Sequence, residues 1–108
     1  MRITKTMCQT QVDMLNTTLH GDAETHTQID GRWRSIPERY VIEHSYGGYK
    51  LCRIMNEGGG LMDITHYRMT ARELYYVLTG INTVLRLDAH KPLINSIVNA
   101  QEVSYDHH

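Results

Sequence analysis

The sequence predicts one α+β domain: an N-terminal helix, an antiparallel meander sheet of three to five strands, a long helix packed on that sheet, and a short C-terminal helix or tail. Three observations carry this reading. Tyr46-Gly47-Gly48-Tyr49 and Asn56-Glu57-Gly58-Gly59-Gly60 are glycine turns that enclose one strand-length segment, and glycine supplies the positive φ that tight turns need. Thr70-Ala71-Arg72-Glu73-Leu74 then opens a helix with a capping box, in which the Thr and Glu satisfy each other's backbone donors. Near the N-terminus, Cys8, Val12, Leu15 and Leu19 recur at the spacing of one helical face.

The elements follow in order. Residues 5–19 read as the first helix, with Thr4 as N-cap, Ile3 stapled onto Cys8 across it, and His20-Gly21-Asp22 as the stop. Residues 25–29 and 32–35 form a short hairpin about Asp30-Gly31, a pair suited to a type I′ turn. Pro37 prevents the second strand from running on. Residues 39–46 alternate, with Tyr40, Ile42, His44 and Tyr46 on one face. Residues 49–55 are apolar on both faces, Leu51 and Met55 against Cys52 and Ile54, as a central strand should be. Gly58 to Gly60 turns the chain into residues 61–66.

In the second helix, Met69 and Leu74 occupy the staple positions, and Leu74, Val77, Leu78, Ile81 and Leu85 form the apolar stripe. Tyr75 and Tyr76 are adjacent and so about 100° apart, and one of them must be exposed. Gly80 weakens such a helix by about 1 kcal/mol relative to Ala, which points to a close contact with the sheet or another helix. Pro92 starts a short third helix carrying Leu93, Ile94, Ile97 and Val98. The single domain spans 1–108, with 88–108 as an extension.

Composition bounds the function. A chain of 108 residues with 41% apolar and 21% charged residues supports one packed core. Its aromatic residues are seven Tyr and one Trp with no Phe, so most aromatic surface carries a polar tip, as at interfaces or half-buried sites. The net charge of -1 gives no general attraction to nucleic acid or membrane. Basic residues do cluster in the centre (Arg32, Arg34, Arg39, Lys50, Arg53, Arg68, Arg72), against Glu38, Glu43, Glu57 and Asp63. No apolar run approaches the roughly 20 residues of a membrane span, and the first residues lack the apolar core of a signal peptide. Cys8 and Cys52 are then expected as reduced thiols in a cytoplasm, and the Asn16-Thr17-Thr18 sequon as chemically silent.

The segment YGGYKLCRIMNEGGGLMDITHYRMTARELYYVL resembles a group of small, largely uncharacterised proteins of tailed bacteriophages and prophages. Their pattern is Y-G-G-aromatic-x-L, then N-E-G-G-G, then R-E-L-aromatic. It is matched here by Tyr46, Gly47, Gly48, Tyr49 and Leu51, by Asn56 through Gly60, and by Arg72, Glu73, Leu74 and Tyr75. The Tyr-Gly-Gly-aromatic-Lys-Leu strand and the Glu-Leu helix start are also similar to some phage anti-CRISPR inhibitors of Cas9. The resemblance covers residues 40–86 and implies a phage accessory protein made in the host cytoplasm, one that acts by occupying a host or anti-phage defence component.

The candidate sites each have a functional and a purely structural reading. Gly58-Gly59-Gly60 is either a flexible turn or a nest of backbone N–H groups for the phosphate of a nucleotide-type ligand, with Asn56, Glu57, Arg53 and Arg72 as polar contributors. Trp33 beside Arg32 and Arg34 either packs on a helix, anchors a protein interface, or stacks on a base while the guanidiniums meet phosphates. Tyr46 and Tyr49 flank the first glycine pair and mark a Tyr-rich contact surface. His44, His66 and Asp63 are too few for a zinc site, Cys8 and Cys52 read as small core residues, and no catalytic residue, metal ligand or cofactor is assigned. The preferred function is a non-enzymatic protein that binds and inhibits or redirects a host or defence protein. The alternatives are a binder that sequesters a nucleotide-like small molecule, with a homodimer completing the pocket, and direct nucleic-acid binding.

Overall fold

The computed structural model describes residues 2–89 and shows an α+β architecture. Helix α1 spans Lys5–His20, strands β1 and β2 span His26–Ile29 and Arg32–Ser35, strands β3, β4 and β5 span Tyr40–Ser45, Gly48–Ile54 and Leu61–Asp63, and helix α2 spans Ala71–Ala89. The strands make two antiparallel sheets, a β1-β2 hairpin and a β3-β4-β5 meander with β4 in the middle. The third helix expected from Pro92 lies outside the described residues.

Local grammar places the helices. Thr4 caps α1 by accepting from the Met7 N–H at 3.3 Å. Gly21 ends the helix at φ 89°, its N–H donating to the Thr17 carbonyl. In α2 the capping box is complete: the Glu73 N–H donates to Thr70 Oγ1 at 3.2 Å, and the Thr70 N–H donates to Glu73 Oε1 at 3.1 Å. These bonds from Thr70 hold the Glu73 carboxyl below its ordinary value of 4.5. A lowered folded-state pKa means the contribution is present above 4.5 and lost as pH falls through the lower folded value. Glu73→Ala should therefore lower the melting temperature at neutral pH, and the gap to the wild type should close on acidification. A gap that persists unchanged in acid would rule out this role of the carboxylate.

The core forms where three faces meet. Cys8, Val12 and Leu15 of α1, Leu51 of β4, and Leu74 and Leu78 of α2 are buried together. Tyr40, Ile42 and Tyr49 close the core from the sheet, while Ile81 and Leu85 close it from α2. Tyr75 packs against this cluster and Tyr76 faces solvent. The 3-stranded sheet thus has one face under the helices, while β4 buries Cys52 and Ile54 on its other face. Buried amides tie the layers: Asn16 bridges α1 to Tyr40 of β3, and Asn82 Nδ2 donates to the Gln11 carbonyl at 3.0 Å, joining the helices.

Three expectations change. The segment expected as a strand over 61–66 pairs only through Asp63, because the Ile64 and Thr65 N–H groups both turn back to the Leu51 carbonyl. Leu19, expected on the core face, is partly exposed at the rim of a 230 Å³ apolar cavity that Leu15, Leu51 and Leu85 help to line. Gly80 does not mark an internal contact: among the described residues, a Cβ placed there would meet nothing within 4 Å.

Candidate interaction surface

The β1-β2 hairpin stands apart from the core and is exposed along most of its length. Its turn has the expected geometry, with Asp30 and Gly31 at φ 52° and 76°, the two positive φ values of a type I′ turn. A lone two-stranded ribbon is marginal in water, and its base is accordingly fastened. The Ser35 N–H donates to the Glu57 carbonyl at 3.1 Å, and the Ile36 N–H to the Thr25 carbonyl at 2.9 Å. Arg39 Nη1 donates to Asp22 Oδ1 at 2.6 Å and to the carbonyls of Asp22 and Glu24, both at 3.0 Å. That hydrogen bond from Arg39 is the main reason the Asp22 carboxyl is held below its usual range. Sequence reasoning counted Arg39 only as one of the central cations, since nothing local signals a partner 17 residues away.

Trp33 pairs with Gln28 on this ribbon and is 69% exposed. It borders an open groove of about 630 Å³ formed with Asp22, Glu24, His26, Gln28 and Arg39. Arg32 and Arg34 alternate to the opposite face, where they line a second depression of about 450 Å³ with Ile29, Asp30 and Glu57. The expected aromatic between two guanidiniums therefore resolves into two surfaces, one around Trp33 and one of mixed charge where Arg32 and Arg34 stand beside Asp30 and Glu57.

The remaining candidates are dispersed. Asn56 is folded into its own turn: its Oδ1 accepts from the Gly60 N–H at 3.0 Å and its carbonyl from the Gly59 N–H at 3.1 Å. Two of the three glycine amides that would cradle a phosphate are thus already engaged. Arg53 lies 3.6 Å from Glu38. Tyr46 projects fully into solvent from the β3-β4 turn, whereas Tyr49 packs on the core and stacks on His44 with ring centroids 4.3 Å apart. Arg72 sits in the first turn of α2, its guanidinium 6.0 Å from the Tyr76 ring centroid. His66 is exposed.

One cluster escaped the sequence reading. On the outer face of the meander, Cys52 is buried between Glu43 and Asp63, and ligand atoms of the three lie within 4.8 Å of one another. Burial, followed by the hydrogen bond to Asp63, pushes the Cys52 thiol up to about 11. Both carboxylates already have cationic partners, Arg68 with Glu43 at 2.8 Å and Lys50 with Asp63 at 2.9 Å. With its thiol protonated and its acids paired, the cluster is a polar clasp across β3, β4 and β5. Register brings it together: Glu43 lies opposite Lys50, and Cys52 lies between Val41 and Asp63.

Charge pairing also redraws the central basic stretch. Arg39, Lys50, Arg53 and Arg68, four of its seven cations, each lie within 4 Å of a carboxylate oxygen. Among the described residues, no helix is long and apolar enough to cross a membrane. Comparison with family models, with curated proteins and with solved structures gives no match.

Proposed function

We propose that this chain is a non-enzymatic phage or prophage accessory protein, acting in the host cytoplasm, that binds and inhibits or redirects a host or anti-phage defence protein through the Trp33 face of its hairpin. The observation that carries this reading is the exposure of the chain's one tryptophan on a ribbon whose base is fastened and whose faces are open. A large aromatic has few rotatable bonds to immobilise on burial, and tryptophan is among the residue types most enriched at binding hot spots. The setting rests on the resemblance of the glycine-turn pattern to phage proteins. Sequestration of a nucleotide has less support, because Asn56 occupies the amides that a phosphate would need. A nucleic-acid groove has less support because most of the central cations carry acidic partners.

The test is capture of partners from bacterial lysate with tagged wild type and Trp33→Ala. Exposed substitutions usually change stability by no more than about 0.5 kcal/mol, so the variant should melt with the wild type. Loss of a hot-spot tryptophan costs about 2 kcal/mol or more, roughly thirtyfold in affinity. A specific protein partner retained equally by Trp33→Ala, or a co-purifying small molecule with no protein partner, would overturn the proposal.

A further inference from the structure

Helix α2 carries a second exposed surface, independent of the hairpin. Arg72, Tyr76, Gly80, Val84 and Asp88 follow one another at intervals of four and are all exposed, so they form a single continuous ridge on the helix. The ridge is self-complementary about Gly80. Moving outward in the two directions gives Tyr76 and Val84, both large and apolar, and then Arg72 and Asp88, of opposite charge. Beside it an apolar groove of about 470 Å³ is lined by Tyr76, Val77, Gly80, Ile81, Val84 and Leu85. Tyr76 is 58% and Val84 64% exposed, which is unusual for apolar residues grouped on one helix face.

We propose that a second copy of this chain covers this face, the two α2 helices packing antiparallel about a two-fold axis that passes beside Gly80. A two-fold axis at that point sets residues equally distant from Gly80 against each other, because an isologous contact uses the same patch on both subunits. Tyr76 then meets the partner's Val84, and Arg72 meets the partner's Asp88, each pairing occurring twice. Gly80 is the position of closest approach. It lowers the helix propensity of α2 without relieving any contact among the described residues, and a missing side chain at a helix crossing lets two backbones come near each other. Charge complementarity selects a second copy over an unrelated partner, since the face supplies both the cation and the anion at matching distances from its own centre. Such a dimer would present two Trp33 hairpins and add avidity toward any paired target.

Sedimentation velocity on the full chain over a wide concentration range gives the first test. Concentration-dependent dimers are expected, and a monomer throughout would overturn the proposal, leaving residues 90–108 or another partner as the cover. Gly80→Leu is the diagnostic variant: it raises helix propensity and so should raise the melting temperature of the dilute monomer while weakening dimerisation. Arg72→Asp and Asp88→Arg should each weaken association about tenfold through repeated like-charge contacts, and the double variant should restore it. Gly80→Cys should form a disulfide-linked dimer under mild oxidation, because a residue beside the axis lies close to its own copy, while Cys8 and Cys52 stay buried. Dimers indifferent to Gly80→Leu and to the charge reversals would place the interface elsewhere and overturn this assignment.

Discussion

Gly48→Ala is expected to destabilise the protein by about 3 kcal/mol, through backbone strain of about 1–3 kcal/mol and loss of hydrogen bonds worth about 1 kcal/mol each. A Cβ at Gly48 would lie 2.5 Å from the Met69 carbonyl oxygen and 3.1 Å from its carbon. Gly48 also sits at φ 124°, where a side chain is strained whatever the space. The obstacle is backbone, and it cannot withdraw cheaply. The Tyr49 N–H donates to the Met69 carbonyl at 2.9 Å, and the Met69 N–H donates to the Tyr49 carbonyl at 2.8 Å. Moving Met69 aside breaks that bridge and displaces the residue before the Thr70 cap of α2.

Two neighbouring glycines provide the controls. At Gly47, φ is 101° and the nearest atom to a new Cβ is the flexible Arg68 Cδ at 3.4 Å, so Gly47→Ala should cost the strain alone. Gly58 has no positive φ, and its Cβ would meet only the Asn56 side chain at 3.3 Å. Gly58→Ala should be close to neutral. Denaturant unfolding of the three variants should rank Gly48→Ala well below Gly47→Ala, with Gly58→Ala near the wild type. Equal midpoints for Gly48→Ala and Gly58→Ala would remove the close approach as an explanation for this glycine.

Gly48 also shows what was legible in the sequence. Its turn could be read locally, as could the Asp30-Gly31 turn, the Thr4 and Thr70 caps and the stripe of Leu74 and Leu78, because each rests on residues within one or two turns of chain. The approach of Met69 to Gly48 depends on how α2 is delivered to the sheet, and no short-range spacing encodes that. Gly80 misled for the same reason: helix propensity shows that a glycine is costly there, not what stands opposite it. The candidate surface was half legible. Trp33 was identifiable as the one indole, but its separation from Arg32 and Arg34 follows from strand alternation once the hairpin is accepted. The clasp of Glu43, Cys52 and Asp63 needs the registers of β3, β4 and β5 together.

The largest omission was Asn16, which reads in sequence as a silent sequon and in the structure as the buried link between α1 and the sheet. It is fully buried. Its Nδ2 donates to the Tyr40 carbonyl at 2.9 Å, and its Oδ1 accepts from the Tyr40 N–H at 2.8 Å. Since β3 has β4 on one side only, Tyr40 needs an outside partner for these groups, and a primary amide supplies donor and acceptor together. Asn16→Ala should therefore cost about 2–6 kcal/mol, leaving two backbone groups unpaired at about 1–3 kcal/mol each, with the β3 end nearest α1 losing hydrogen-exchange protection first.

Asn16→Asp tests the same bonds with nearly unchanged volume. The introduced carboxylate, when ionised, can still accept from the Tyr40 N–H but faces the Tyr40 carbonyl with a second negative oxygen, whereas the protonated acid restores both bonds. Burial and that carbonyl should raise the folded-state pKa above the unfolded value of about 3.9. A raised pKa makes the restored contribution complete below the unfolded value and lost as pH rises through the folded one. The variant should thus lie close to the wild type in stability at low pH and fall well behind it at neutral pH, the same direction as the Glu73→Ala gap although the underlying pKa shift has the opposite sign. A deficit that is the same at both pH values would mean that the Tyr40 groups find other partners, and that packing of Val12 and Leu15 alone holds α1 on the sheet.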